Sequence, residues 1–306
     1  MINLNGLGVA LVTPFSQQQD IDFKALGNLV DSQLENGADY LVVLGTTGET
    51  PVLTLAERAT IAAFVADRVK KHVPIVVGIS GNNTADVISR ISDAQLHKFD
   101  ALLTACPYYN KPSQEGLYQH FMAIANASKI PLVLYNVPGR TGVNLLPDTV
   151  VRLVRDNANI VGIKEASGST GQIRELIFKL SKIEEITLKP TEQTDKRPFY
   201  VISGDDGITA ELMNEGACGV ISVAANAFTK DFSRLVHSDY QSAIEIQKKY
   251  EQMVKLLFVD GNPSGIKCVL AEQGKIKNIL RLPLVPVSEL TREQIKKELK
   301  EIQKII

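Results

Sequence analysis

The sequence predicts a (β/α)8 TIM barrel of the α/β class with a C-terminal helical extension. Three observations predict it. Eight short apolar runs rich in Val, Ile and Leu recur along the chain, amphipathic stretches separate them, and no Gly-x-Gly-x-x-Gly follows the first run. Runs of this kind are buried parallel strands. Eight βα units suit a closed barrel better than an open sheet, which more often has about five to seven strands. The missing glycine fingerprint lowers the dinucleotide-binding alternative.

The predicted strands are Gly8–Thr13, Tyr40–Leu44, Ile75–Ile79, Ala101–Cys106, Leu132–Asn136, Ile160–Lys164, Tyr200–Ser203 and Gly219–Val223. Between the second and third, Leu55, Ile61, Phe64 and Val65 fall near one helical face, behind Thr54 with Glu57 three residues later, a capping-box spacing. Between the fourth and fifth, Ser113 caps a segment that puts Leu117, Phe121 and Ile124 on one face.

After about residue 238 the pattern becomes purely helical, with Ala243, Ile244, Tyr250, Met253, Val254 and Leu257 at helical spacing. Asn262-Pro263 reads as a cap and first-turn proline. Thr291-Arg292-Glu293-Gln294 reads as a capping box opening a last charged helix. The expected organisation is a catalytic barrel over 1–238 and a helical region over 239–306. The stretch Ile183–Pro198, before the seventh strand, is long, polar and bounded by Pro190 and Pro198. Its role is not legible in the sequence.

The 306 residues are 44% hydrophobic and 22% charged, which suits a globular protein with a sizeable core. A net charge of −1 gives no electrostatic reason to expect nucleic acid or an anionic membrane as partner. Cys106, Cys218 and Cys268 are far apart and odd in number, which points to a reducing compartment rather than a disulfide framework. The N-terminus shows no basic n-region or apolar h-region, and no apolar run nears the roughly 18 residues of a membrane span. The expected location is cytoplasmic.

In such a barrel the reacting groups lie at the carboxyl ends of the strands. Strand six ends Gly162-Ile163-Lys164-Glu165. A lysine among apolar residues at a barrel mouth is poorly solvated as an ammonium, so desolvation favours an amine able to attack a ketone. The competing reading is a lysine that escapes to solvent or pairs with Glu165. Strand five ends Leu134-Tyr135-Asn136; if Leu132 and Leu134 face one way, Tyr135 faces the other, and a phenol beside an amine can shuttle protons. Taken alone, Tyr135 would be a core tyrosine.

Gly45-Thr46-Thr47-Gly48-Glu49 follows strand two, where two glycines permit a tight bend that exposes N–H groups to a carboxylate. Tyr108 and Tyr109 follow strand four. Arg140 follows Gly139 in a loop and could grip a carboxylate bidentately, although a lone loop arginine is usually a solvated charge. The four histidines show no metal spacing, no nucleophile-elbow or phosphate-loop motif is present, and neither metal nor cofactor is expected. Cys106 reads as a core thiol.

The motifs Gly45-Thr46-Thr47-Gly48-Glu49, Pro107-Tyr108-Tyr109-Asn110, Tyr135-Asn136-Val137-Pro138-Gly139-Arg140-Thr141, Gly162-Ile163-Lys164-Glu165 and Ser203-Gly204-Asp205-Asp206 occur in this order. Together they closely resemble the 4-hydroxy-tetrahydrodipicolinate (dihydrodipicolinate) synthase family of the pyruvate-dependent class I aldolase superfamily, over nearly the whole chain. The resemblance implies that Lys164 forms a Schiff base with pyruvate. It implies a proton relay of Thr46, Tyr135 and Tyr109, with Tyr109 reaching in from an adjacent subunit.

The resemblance further implies that Thr47, Ile221 and Gly204 bind the pyruvate part and that Arg140 holds the carboxylate of L-aspartate 4-semialdehyde. The implied reaction belongs to the diaminopimelate route to lysine, and the implied assembly is a homotetramer, a dimer of dimers. Asn82, Asp86 and Tyr108 match a regulatory lysine site, but Leu55 and Arg58 stand where lysine-sensitive relatives often carry histidines. The stretch around Lys189–Arg197 is longer than the family leads one to expect, by roughly a dozen residues on loop-length grounds. An N-acetylneuraminate lyase or 2-keto-3-deoxy sugar acid aldolase shares barrel and lysine, but the strand-two turn and Gly139-Arg140-Thr141 favour the synthase. A non-catalytic oxo-acid sensor is the alternative from another class; the retained lysine, tyrosines and threonine pair argue against it.

Overall fold

In the computed structural model, which describes residues 2–188 and 195–304, all eight expected runs are strands. They are β1 (Gly6–Ala10), β2 (Tyr40–Val43), β3 (Ile75–Gly78), β4 (Ala101–Ala105), β5 (Leu132–Asn136), β6 (Ile160–Glu165), β7 (Tyr200–Ser203) and β8 (Gly219–Ser222). Their hydrogen-bonded order, β1-β8-β7-β6-β5-β4-β3-β2, closes a barrel. Within that order β5 lies between β4 and β6, all parallel. Nearly every strand residue is buried, because helices cover a parallel sheet that also packs its own interior. Each fully buried Val, Leu or Ile contributes about 1.5–3 kcal/mol.

By internal contacts the chain divides into two compact units, Met1–Asn5 with Pro74–Ile221, and Gly6–Val73 with Ser222–Ile306. In the first, Leu117, Phe121 and Ile124 of the helix Gln114–Ala127 are fully buried, and Ser113 caps it by accepting the Gly116 N–H at 3.2 Å. The expected excursion has an ordered base. Ile186–Thr187 pairs with Arg197–Pro198. The Arg197 guanidinium donates to the carbonyls of Val154, Ala158 and Ile160 at 2.8–3.1 Å, occupying acceptors beside the end of the helix Pro147–Asp156. Residues 189–194 of the excursion lie outside the described residues.

In the second unit, β1 ends three residues before the expected Thr13. Beyond Ala10, the Asn226 side chain takes over part of the ladder, donating to the Ala10 carbonyl at 2.7 Å and accepting the Val12 N–H at 3.1 Å. The capping box on the helix Leu55–Val69 forms with both bonds, Glu57 N–H to Thr54 Oγ1 at 3.2 Å and Thr54 N–H to Glu57 Oε2 at 2.8 Å.

Two expected caps differ. The last helix begins at Glu289, so Thr291 lies inside it. Ser288 does the capping instead, accepting the Thr291 N–H at 3.3 Å, while the Asp260 carboxylate holds the Ser288 N–H at 2.9 Å. Pro263 precedes the helix Ser264–Glu272, and the Asn262 amide donates to Thr47 Oγ1 at 3.1 Å rather than serving as the helix cap. Among the described residues, no helix is long and apolar enough to cross a membrane.

Candidate active site

In the first unit, β5 and β6 run in parallel register, with Leu134 beside Ile163, Tyr135 beside Lys164 and Asn136 beside Glu165. Side chains alternate along a strand, so Tyr135 and Lys164 project to one face and Asn136 and Glu165 to the other. Lys164 is only 6% exposed and Tyr135 only 7%, and Lys164 Nζ lies 4.4 Å from the centre of the Tyr135 ring. Among the described residues no carboxylate forms an ion pair with Lys164. Neither escape nor pairing accounts for this lysine.

Glu165, the obvious competitor for Lys164, is committed elsewhere. Its oxygens accept from Asn136 Nδ2 at 2.9 Å, the Ser167 N–H at 2.7 Å and Gln172 Nε2 at 3.4 Å. Burial pushes its carboxyl above the usual carboxylate range, against the pull of those donors. Asn136 also accepts the Leu145 N–H at 3.0 Å and donates to Asn144 at 2.8 Å, so the segment after strand five hangs on the same network. That segment begins with the helical turn Pro138–Thr141, which presents Arg140 exposed.

Gly204, just after β7, donates its N–H to the Glu165 carbonyl at 2.8 Å. A Cβ there would stand 3.1 Å from Lys164 Cε and 2.6 Å from Ala166 Cβ, so the bare backbone is what lets it lie against the lysine stem. Ile221 is buried in β8. Cys106 is fully buried, and burial with the nearby Glu165 charge pushes its thiol up to about 12, which makes it the inert core residue expected.

Tyr109 stands apart from this cluster. It is 84% exposed and its φ of +74° puts a bulky residue in the left-handed region. Asn82 and Asp86 are exposed, with Asp86 paired to Arg90, and Tyr108 is half-exposed.

In the second unit, Thr46–Gly48 and Thr50–Val52 form two successive tight helical turns hinged at Glu49. Two glycines were the expected makers of this bend, yet the left-handed residues are Leu44, at φ +59°, and Glu49, at φ +55°. Gly48 instead allows a close approach: its carbonyl accepts Thr13 Oγ1 at 2.7 Å, and a Cβ would lie a tight 3.3 Å from the Leu11 carbonyl. Thr47 is buried and receives the Asn262 amide; Thr46 is half-buried. Leu55 is 64% exposed, and Arg58 donates to the Leu53 carbonyl at 3.0 Å.

Sequence reasoning read Glu165 only as a partner for Lys164 and Asn262 only as a helix cap, and gave Asn136 and Lys267 no role. Lys267 is fully buried and ion-paired with Glu49, and burial pulls its ammonium down to about 8. An amide or lysine lying within helical or apolar stretches carries no local mark of its partner. Among the described residues, no group of three or more His, Cys, Asp or Glu is placed to hold a metal ion.

The sequence profile of the dihydrodipicolinate synthetase family matches residues 3–302. The 4-hydroxy-tetrahydrodipicolinate synthase of Parabacteroides distasonis is 50% identical over 305 residues, covering 98% of each chain. The solved dihydrodipicolinate synthase of Thermotoga maritima superposes with a TM-score of 0.91 at 38% identity, covering 98% of each chain. The chloride-inhibited enzyme of Acinetobacter baumannii, solved in complex with pyruvate, gives 0.90 at 39% identity over 98% of this chain and 99% of its own. The chain belongs to the dihydrodipicolinate synthetase family, whose members here are lyase-type enzymes.

Proposed function

We propose that this enzyme condenses pyruvate with L-aspartate 4-semialdehyde through a Schiff base on Lys164, giving 4-hydroxy-tetrahydrodipicolinate in the diaminopimelate route to lysine. The observation that carries the reading is Lys164 itself: a buried lysine with no carboxylate partner among the described residues, beside a phenol, in a chain of this family. The pyruvate held by the Acinetobacter baumannii relative supports the same substrate here.

Lys164 Nζ attacks the ketone carbon of pyruvate, the carbinolamine loses water, and an iminium forms. Loss of a methyl proton then gives an enamine. Its carbon attacks the aldehyde, whose oxygen takes up a proton and becomes the hydroxyl. The substrate amine attacks the iminium carbon, displaces Lys164 and closes the ring. Tyr135, Thr46 and Tyr109 carry the protons, a service worth about 10²–10⁴-fold in rate. Thr47, Gly204 and Ile221 bind the pyruvate part, and Arg140 pairs with the semialdehyde carboxylate.

The exposure and left-handed backbone of Tyr109 support its use across a subunit interface in a homotetramer, and the three free cysteines support a setting in the cytoplasm. Leu55 and Arg58 support insensitivity to lysine despite Asn82, Asp86 and Tyr108; the rate should stay flat across a lysine titration.

Borohydride treatment in the presence of pyruvate tests the central step. The expected result is a reduced pyruvyl adduct on Lys164, absent in Lys164→Arg because a guanidinium does not release its proton. An unmodified Lys164 in the pyruvate-treated protein sinks the proposal.

A further inference from the structure

Glu49 and Lys267 form a buried ion pair, each side chain fully enclosed. Every polar group of the pair is directed. Lys267 Nζ also donates to the Ile279 carbonyl at 2.9 Å and lies 4.1 Å from the centre of the Phe15 ring, whose other near cation is Arg281 at 4.5 Å. The second oxygen of Glu49 accepts the Arg281 N–H at 3.2 Å. The Glu49 side chain is therefore held at both oxygens by residues of one C-terminal stretch.

Glu49 is also where the backbone of the threonine turn is decided. Its N–H closes the turn beginning at Thr46, and its carbonyl opens the next by accepting the Val52 N–H at 3.0 Å. Its left-handed φ is uncommon for a residue with a side chain and persists only when the surroundings hold it there. A second tether runs from the same stretch, the Asn262 amide to Thr47 Oγ1 at 3.1 Å. An ion pair sealed from water is weak evidence for stability, since apolar replacements often serve the fold as well. Groups around a site that lock the geometry of those contacting substrate act on binding and rate instead.

We infer that Glu49 and Lys267 are positioning residues for the oxo-acid substrate, through which the helix Ser264–Glu272 sets the Thr46-Thr47-Gly48 turn in the geometry that receives the pyruvate carboxylate. The inference rests on the proposed pyruvate chemistry. It makes the C-terminal helical region a part of substrate recognition as well as of the fold.

The test compares Glu49→Gln, Lys267→Met and the apolar double variant Glu49→Leu/Lys267→Met, with Arg292→Met, which removes the outer Arg292–Glu272 pair, as a stability control. Pyruvate KM, semialdehyde KM, melting temperature and borohydride trapping at saturating pyruvate are measured for each. The expected result is a pyruvate KM raised at least tenfold in all three site variants, with semialdehyde KM within twofold and trapping on Lys164 retained. The double variant should regain the melting temperature that the single variants lose without regaining pyruvate affinity. A structural role alone would return KM together with stability, or leave KM at the control value; either overturns the inference. Should the double variant not fold, Glu49→Gln, of nearly the same shape, decides: a pyruvate KM at the control value, or a semialdehyde KM raised equally, overturns the inference. Loss of trapping in the unmodified enzyme would overturn the pyruvate chemistry itself, a result distinct from normal pyruvate affinity in the variants.

Discussion

Lys164 stands directly beside Tyr135 in the parallel ladder of β5 and β6, with its amine 4.4 Å from the centre of the phenol ring. Register produces this relationship. Once the two strands pair, residues at the same height on adjacent strands point the same way, and slipping either strand by one residue would turn its side chain to the other face.

Removing the phenol hydroxyl should therefore separate binding from turnover. Tyr135→Phe keeps the ring over the amine but deletes the proposed proton carrier. Turnover should fall by about 10²–10⁴-fold while borohydride still traps pyruvate on Lys164. Steady-state rates and mass spectrometry of the trapped protein check this; an unchanged rate would remove Tyr135 from the relay.

Gly204 should tolerate no side chain. In Gly204→Ala the methyl would lie 2.6 Å from Ala166 Cβ and 3.1 Å from both Lys164 Cε and the Glu165 carbonyl, two of them parts of a packed strand end. Overpacking of this sort costs about 1–3 kcal/mol. The larger effect should fall on Lys164, whose stem must shift, so adduct formation with pyruvate should slow in a single-turnover measurement.

Asn136→Ala should loosen the segment that carries Arg140. It leaves the Leu145 N–H without its acceptor and takes a donor from buried Glu165, at a cost of about 1–3 kcal/mol. Because Arg140 is proposed to hold the semialdehyde, the KM for that substrate should rise more than the KM for pyruvate. Equal rises would place the network in support of the fold alone.

His120 sets an acid limit on stability. It is buried, its Nδ1 meets Thr84 Oγ1 at 2.8 Å, and desolvation lowers its imidazole to about 4 from an ordinary 6.5. Below pH 6.5 the unfolded chain takes up a proton that the folded chain refuses until about 4, so stability is full above that window and falls with pH through it. The loss approaches about 3 kcal/mol near pH 4. Melting temperatures of the protein and of His120→Gln across pH 4–7 check this, with a shallower fall expected for the variant.

The excursion before β7 illustrates a limit of local reading. Its polarity and prolines are plain in the sequence, whereas the pairing of Ile186–Thr187 with Arg197–Pro198 needed two distant ends to meet. The cap of the last helix is similar. Thr291 has the right spacing, but Asp260, 28 residues back, holds Ser288 in the capping place.

The amino-acid order by itself determined the eight strands and set Lys164 near the end of the sixth. Apolar runs bury both faces of a parallel strand, and a lysine set in such a run must end at a strand mouth. Folding alone decided which polar groups would answer one another. Glu49 and Lys267 look like ordinary solvated charges until chain ends far apart pack together and exclude water, and Asn262 meets Thr47 across 215 residues of sequence. A buried charge requires a partner, but nothing in the neighbouring residues says where along the chain that partner lies.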